Sequence, residues 1–559
     1  MSDTSGDRPW LASYPEGMPA EIDPSEHDSV VDIFDEAAKR FADRPSFKNF
    51  GVEMSFAELD RRVAEFASWL VHEAGVGRGE RVAIMMPNLL QYPVATFGAL
   101  RAGATVVNTN PLYTERELEH QLVDSGAVAI VVAEPFAHVV EKVLPRTSVR
   151  HVVLARFGDL LGFPKGQVVN FVVKRVKKLV PAYSLPGAHR FADVLKKGAA
   201  APEVRATLGH DDVAFLQYTG GTTGVAKGAM LTHGNMVANV LQAGSWLEPL
   251  KMEPGRETIV TALPLYHIFA LTANCLVHMR IGAMNLLITN PRDIPGFVKE
   301  LQATPFSVVT GVNTLFNALL ANEDFARLDF SRMKLTLGGG MAVQEVVARR
   351  WKEVTGSTLI EAYGLTETSP AACINPPLDP AWRGTIGLPI PSTEAAVVGE
   401  DGKAAPSGEP GELCIRGPQV MKGYWQRPEE TARTVDADGW LHTGDIATID
   451  ESGFVRIVDR LKDMILVSGF NVYPNEIEGV VAEMPQVLEC GAIGVPDEKS
   501  GEAVKLVVVR RDGALSEADV KAWCAERLTG YKRPRIVQFV EELPKTNVGK
   551  VLRRELRDL

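Results

Sequence analysis

Residues 218–229 read YTGGTTGVAKGA, combining four glycines, three threonines and one lysine in twelve positions: Tyr218, Thr219, Gly220, Gly221, Thr222, Thr223, Gly224, Val225, Ala226, Lys227, Gly228 and Ala229. Such a run makes a poor helix or core strand. It can, however, offer backbone N–H groups, hydroxyls and a cation to a polyphosphate. A glycine-rich surface loop without a ligand has the same composition, and the run alone does not separate the two. The spacing fails the common nucleoside-triphosphatase pattern. Counted from Gly221, Ala226 stands where the second glycine belongs and no Ser or Thr follows Lys227, so the magnesium ligand of that pattern is missing.

Other chemistry-bearing residues lie further along, each with an ordinary reading beside the functional one. Thr366 and Glu367 in EAYGLTETSP (361–370) suit a phosphate and a hard cation, or a helix cap. Asp445 in GWLHTGDIA (439–447) offers two acceptor oxygens, or makes a turn. Lys550 in PKTNVGK (544–550) stands in a basic tail where a lone lysine is usually a solvated charge, and His267 in PLYHIFAL (264–271) has the surroundings of a core histidine.

The elements that must position these residues alternate. Residues 55–75 predict an amphipathic helix, with Ser55 and Glu58 as a capping box and Gly75 as its stop. Strand-like and helical runs then succeed one another, predicting βαβ units. The glycine run sits between a predicted strand (212–219) and a predicted helix (230–244), the setting a phosphate site requires. Further alternation to residue 340 predicts a second α/β sheet, since one sheet holding every strand would be unusually wide. Residues 394–463 change to short strands and turns, predicting a small barrel-like β subdomain, and a compact tail of about a hundred residues follows. Residues 168–180, VVNFVVKRVKKLV, place Lys174, Arg175, Lys177 and Lys178 on one arc with most of the valines and Leu179 opposite. That helix would lie on a membrane surface or pack against its own domain, the commoner case in soluble proteins.

A formal charge of -11 argues against general affinity for nucleic acid. The five cysteines are scattered without a CxxC pair, so no zinc site is expected from Cys275 and His278. The N-terminal residues lack a positive start and apolar core, no apolar run approaches membrane-spanning length, and Arg557-Asp558-Leu559 is not a peroxisomal address. A cytoplasmic location is the expectation.

Taken together, the glycine loop, PLYHIFAL, LGGGM (337–341), EAYGLTETSP, GELCIRGPQVMKGYW (411–425), GWLHTGDIA, VDRLKDMILVSGFNVYPNEIE (458–478) and PKTNVGK resemble, in order, the signatures of the adenylate-forming superfamily. That superfamily includes acyl-CoA synthetases, luciferases and peptide-synthetase adenylation domains. Residues 438–462 resemble the fatty acyl-CoA synthetase signature. WLASYPEG, MMPNLLQYPVATFGALRAG and NVGKVLRRELRD resemble bacterial long-chain fatty acid CoA ligases.

The resemblance implies an α/β fold: a large N-terminal domain (1–459) of two α/β sheet subdomains plus a small β-barrel subdomain, a hinge (460–463), and a smaller mobile α+β C-terminal domain (464–559). It implies that ATP and a fatty acid form an acyl-adenylate with release of pyrophosphate, and that CoA then takes the acyl group. Lys550 would bridge carboxylate and phosphate oxygens, Thr366 would bond the α-phosphate, and His267 would gate the carboxylate. Glu367, with Thr219, would hold Mg2+. Gly338, Gly339, Gly340, Tyr363 and Gly364 would form the adenine slot, and Asp445 and Arg460 would hold the ribose and phosphates. Lys462 would be the hinge pivot, and Gly469 would line the pantetheine tunnel in a second pose. His233 is expected to be structural. Residues 310–320 and 264–276 supply apolar walls for an acyl pocket. PLYHIFAL has no aspartate where amino-acid-activating relatives hold an amine, which disfavours those enzymes. A medium-chain or aryl acid, and a fatty acyl-AMP ligase, remain alternatives, and a silent acyl-nucleotide-binding protein is the rival from another class. A homodimer and a transient membrane-surface contact are left open.

Overall fold

The structure is a computed structural model that describes residues 8–219, 226–399, 401–497, 499–511, 513–546 and 549–559. Gly220, Gly221, Thr222, Thr223, Gly224 and Val225 of the glycine loop therefore lie outside the described residues, as do Asn547 and Val548.

Two large sheets carry the N-terminal part. An eight-stranded sheet has the parallel strands Thr105–Thr109, Arg81–Met85 and Ala129–Ala133 at its centre. Two of these, TVVNT and AIVVA, are buried at every position, as apolar runs covered on both faces must be. A nine-stranded sheet has the parallel strands Thr258–Thr261, Val308–Gly311, Leu335–Gly338 and Leu359–Gly364 side by side. Site residues fall at or just beyond the C-terminal ends of the last two strands, where ligands bind in open parallel sheets. The helix Phe56–His72 starts where its sequence predicts, but the cap is one-sided: Ser55 accepts the Glu58 N–H at 3.1 Å, while the Glu58 carboxylate pairs with Arg62 at 2.6 Å.

The region predicted as barrel-like is a four-stranded antiparallel sheet in the order Glu394–Val398, Gly411–Arg416, Leu441–Ile449, Val455–Arg460. The C-terminal part has its own sheet. Its strand Gly501–Arg510 lies between Val487–Asp497 and Ile536–Val540, and the helices Pro474–Ala482 and Glu517–Arg527 complete a separate core around Ile477, Val504 and Val520.

The glycine loop does not lead into a helix. Val213–Thr219 and Lys227–Thr232 pair antiparallel with Thr219 opposite Lys227, so the loop closes a hairpin at its neck. The second strand exists because Ala229 and Leu231 alternate into the core. The helix His233–Trp246 begins only afterwards and spends its N-terminus on its own capping box, Thr232 with Asn235. His233 is buried and its Nδ1 accepts the Val30 N–H at 3.2 Å, a structural role.

The basic segment forms a helix, Lys165–Phe171, continued by a π turn, Val172–Val176. Val169 packs on the main core and Lys174 pairs with Glu134 at 2.9 Å. Most of its apolar side does not pack on the protein: Phe163 is 83% exposed, and Val168, Phe171, Val176 and Leu179 are each more than half exposed.

Candidate active site

Asp445 is buried on the strand Leu441–Ile449 directly opposite Arg460 on Val455–Arg460. Its Oδ1 lies 3.2 Å from Arg460 Nε, and its Oδ2 accepts the Tyr363 hydroxyl at 2.6 Å. Burial and then the Asp445 charge push the Tyr363 phenol well above its usual value. The turn before Asp445 is held from the neighbouring strand. Glu412 accepts the Gly444 N–H with Oε1 at 3.0 Å and the His442 Nδ1–H with Oε2 at 3.0 Å. Cys414 Sγ lies 3.5 Å from the same nitrogen. These hydrogen bonds account for the meeting of Glu412, Cys414 and His442 and aim Asp445 by fixing the backbone next to it.

Tyr363 and Gly364 end the strand Leu359–Gly364, and the short 3-10 turn Thr366–Thr368 follows. The chain doubles back so tightly that a Cβ on Gly364 would meet the Pro370 carbonyl oxygen at 1.7 Å. The capping role falls on Thr368, whose hydroxyl accepts the Leu365 N–H at 2.9 Å. Thr366 is left half-buried with no protein hydrogen bond to its hydroxyl among the described residues. Glu367 Oε1 accepts the Tyr424 hydroxyl at 2.7 Å. Lys227 Nζ sits 4.9 Å from the centre of the Tyr424 ring and pairs with Glu430 at 2.6 Å. Tyr424 thus links the loop lysine to the candidate metal carboxylate, through two partners that sequence reasoning missed. Its only sequence signal was its place in the GYW end of GELCIRGPQVMKGYW.

Tyr218 works as an anchor for the loop. Its hydroxyl donates to Asp124 at 2.7 Å and its ring lies against Gly228, where a Cβ would come within 3.1 Å. Ala226 accepts the His120 Nε2–H at 2.8 Å, and Ala229 is a buried ladder residue opposite Gln217 and Tyr424. Gly338 packs against Leu359 and Val343. A Cβ on Gly339 would press on the Phe269 ring and the Ala362 oxygen at 3.1 Å, while Gly340 holds a φ of 76°.

Lys550 is turned inward. Gly549, at φ 84°, lies so close to the helix Asn313–Leu320 that a Cβ would meet Thr314 Oγ1 at 2.6 Å, and its carbonyl accepts that hydroxyl at 3.3 Å. The charges that act on the Lys550 ammonium belong to Arg460, Asp445, Arg553 and Lys462, and loss of water pushes it down to about 7, with Arg460 the next contributor. His267 is pushed down to about 4, first by burial and then by Lys550, so it is a neutral imidazole near pH 7. Burial, then Arg460, also lowers Lys462. Gly469 is not brought in: it occupies a turn at φ 84° with no atom within 4 Å of its Cβ position, and the next residue, Phe470, is exposed and stacked on Tyr531 at 4.7 Å.

The signature of AMP-binding enzymes matches residues 34–425, and that of the AMP-binding enzyme C-terminal domain matches residues 476–550. The chain belongs to the AMP-binding enzyme family. It is 59% identical to a long-chain-fatty-acid–CoA ligase of Escherichia coli O6:H1 (strain CFT073) over 98% of both chains. Among solved structures it is similar to an anthranilate CoA ligase in complex with anthranoyl-AMP, at TM-score 0.85 and 26% identity over 96% of this chain and 98% of that one. It is also similar to ATP-bound MatB from Rhodopseudomonas palustris, at TM-score 0.77 and 30% identity over 94% and 98%. The AMP-binding fold therefore brings the C-terminal lysine next to the residues predicted to hold nucleotide.

Lys550, Arg460 and Lys462 lie close enough to repel one another, with Asp445 acting on both lysines and Asp463 and Glu367 on Lys462, so an anion placed beside Lys550 would favour its ammonium. In the ligand-free protein, the pH dependence of Lys550 acylation by a small anhydride, read by peptide mass spectrometry, should have its midpoint near 7. The midpoint should rise when ATP is added, because phosphate oxygens favour the ammonium. An ordinary lysine midpoint would show that the ammonium reaches water.

Proposed function

We propose that this protein is a long-chain-fatty-acid–CoA ligase. It joins a fatty acid carboxylate to the α-phosphate of ATP, releases pyrophosphate, and passes the acyl group from the adenylate to the CoA thiol, releasing AMP. The observation that carries this reading is the 59% identity, over 98% of the chain, with the E. coli enzyme of that name.

The chemistry explains the residues. A carboxylate attacking a phosphate is one anion approaching another, so the site must supply cations that need no reorganisation. Lys550 bridges the two anions. Thr366 donates to an α-phosphate oxygen, and Asp445 accepts the ribose hydroxyls while Arg460 holds it in place. Lys227 and the glycine loop clamp the β- and γ-phosphates. A metal ion fits the Glu367 side: the carboxylate is fixed through Oε1 by Tyr424, and Oε2 has no protein partner among the described residues. Mg2+ held by Glu367 and Thr219 would neutralise phosphate charge. Neutral His267 is no essential base, since a fatty acid is already ionised near pH 7. It stands beside Phe269, whose N–H it accepts at 3.3 Å, and gates the carboxylate.

Pyrophosphate must leave before the thiol arrives, so the C-terminal domain (464–559) turns on a hinge at 460–463 relative to residues 1–459. The inward Lys550 and outward Gly469 support reading this arrangement as the one for adenylate formation. Turning about Lys462 exchanges them.

Pyrophosphate release with and without CoA across long-chain, medium-chain and aryl acids tests the substrate. Long-chain acids should turn over fastest and require CoA for the second product; preference for an aryl acid would move the reading toward the anthranilate-type relatives. Lys550→Ala should abolish adenylate formation yet spare thioester formation from supplied acyl-adenylate. Equal loss of both steps would sink that division of labour.

The exposed strip 163–179 supports a transient contact with anionic membrane surfaces, from which such substrates arrive. Phe163, Val168, Phe171, Val176 and Leu179 offer apolar area beside Arg175, Lys177 and Lys178, none of which has a carboxylate partner among the described residues. Neutralising Lys174, Arg175, Lys177 and Lys178 together, with Phe171→Ser, should release the protein from anionic vesicles in co-sedimentation. Unchanged sedimentation would exclude this strip as the contact.

A further inference from the structure

Arg553 lies three residues beyond Lys550, and its guanidinium is surrounded by carboxylates from before, within and after the segment 460–463. Nη1 is 3.1 Å from Asp459 and 3.3 Å from Asp463, while Nε and Nη2 take the two oxygens of Glu478 at 3.1 and 2.8 Å. Asp459 is fully buried, and its other oxygen accepts the Asn475 N–H at 2.8 Å. A buried carboxylate of this kind is costly if its partner is taken away.

The partners sit on different bodies. Asp459 belongs to the large domain, on the strand Val455–Arg460, where it is opposite Ile446. Glu478 is fixed within the small domain, where its Oε1 accepts the Ala492 N–H at 2.8 Å. Arg553 opens the short helix Arg553–Leu556, whose Leu556 is buried in the small-domain core with Ile493 and Val507. Lys550 is thus suspended between two docking points on the large domain, Thr314 on one side and Asp459 on the other.

We infer that Arg553 and Asp459 form a clasp across the hinge that holds the small domain in its adenylate-forming pose, making Arg553 a positioning residue for Lys550. This rests on the roles of Lys550 and the hinge given above. The clasp touches no substrate. It biases the balance between two poses, and it must open before the acyl group can move to CoA.

Four variants separate the clasp from local packing. Asp459→Asn removes its charge at constant shape, Arg553→Gln removes the guanidinium, and Arg553→Lys keeps a cation. Glu478→Gln weakens a partner of the same guanidinium that lies wholly within the small domain. Fatty-acid-dependent ATP–pyrophosphate exchange should fall on the order of a hundredfold in Asp459→Asn and Arg553→Gln, as for a displaced catalytic group. Thioester formation from supplied acyl-adenylate should be retained or raised in both. Arg553→Lys should recover part of the exchange, and Glu478→Gln should leave the ratio of the two half-reactions unchanged.

A pH profile adds a readout that packing would not move. The charges facing Lys550 are those of Arg460, Asp445, Arg553 and Lys462, with His267 also close. Loss of the Arg553 cation favours the Lys550 ammonium, so the alkaline limb of the exchange profile should shift to higher pH in Arg553→Gln. If both half-reactions fall together in Asp459→Asn, or if Glu478→Gln skews their ratio as much, the clasp is refuted while the reading of Lys550 stands. If Lys550→Ala itself fails to separate the half-reactions, that reading falls and the clasp with it.

Discussion

Lys550 carries its charge to a place where water is scarce and where Arg460 and Lys462 already repel it, so the ammonium is held at the edge of losing its proton. Asp445 opposes those cations, with Asp463 and Glu367 also acting on Lys462, and Asp445 is shared with Arg460 and Tyr363. Phosphate oxygens beside Lys550 would favour its ammonium against that repulsion. Much of the architecture around Lys550 holds this group of charges together. The Glu412 hydrogen bonds fix the turn before Asp445, Gly549 lets the backbone approach Thr314, and the tight reversal at Gly364 presents Thr366 and Glu367 together. Repulsion between like charges grows as water is removed, and the same loss of water would make these cations effective on the phosphates they are proposed to hold.

Periodicity made the two sheets legible, since fully apolar strands such as AIVVA alternate with amphipathic helices at a spacing few other folds would use. The turn-rich region around residue 411 was legible for a similar reason, as its glycines and aspartates punctuate short strands. The element after the glycine loop was not. GAMLT is short, small and flanked by a helix, and only its pairing with Val213–Thr219 shows that it is a strand. The site residues that could be read were those embedded in ordered signatures. Tyr424, Glu430 and Thr314 could not, because each acts through a partner distant in sequence: Tyr424 meets Glu367, Glu430 meets Lys227, and Thr314 meets Gly549. The same limit applies to residues 163–179. A helix has the same apolar arc whether that arc is covered or bare, and its exposure is a property of the surrounding surface.

Asp445 and Arg460 are paired residues on adjacent strands, and Asp463 follows Arg460 by three positions. The C-terminal domain is therefore tied within a few residues of the proposed ribose acceptor. A tether that short would keep Lys550 at an effective concentration of about millimolar or above through the proposed swing of the domain. Return from the proposed second pose would then be a unimolecular search whose rate is independent of protein concentration. Lengthening the tether would dilute Lys550 only gradually, roughly as the inverse three-halves power of its length, whereas the direction from which it arrives would be lost at once. What the short connection preserves is orientation more than proximity.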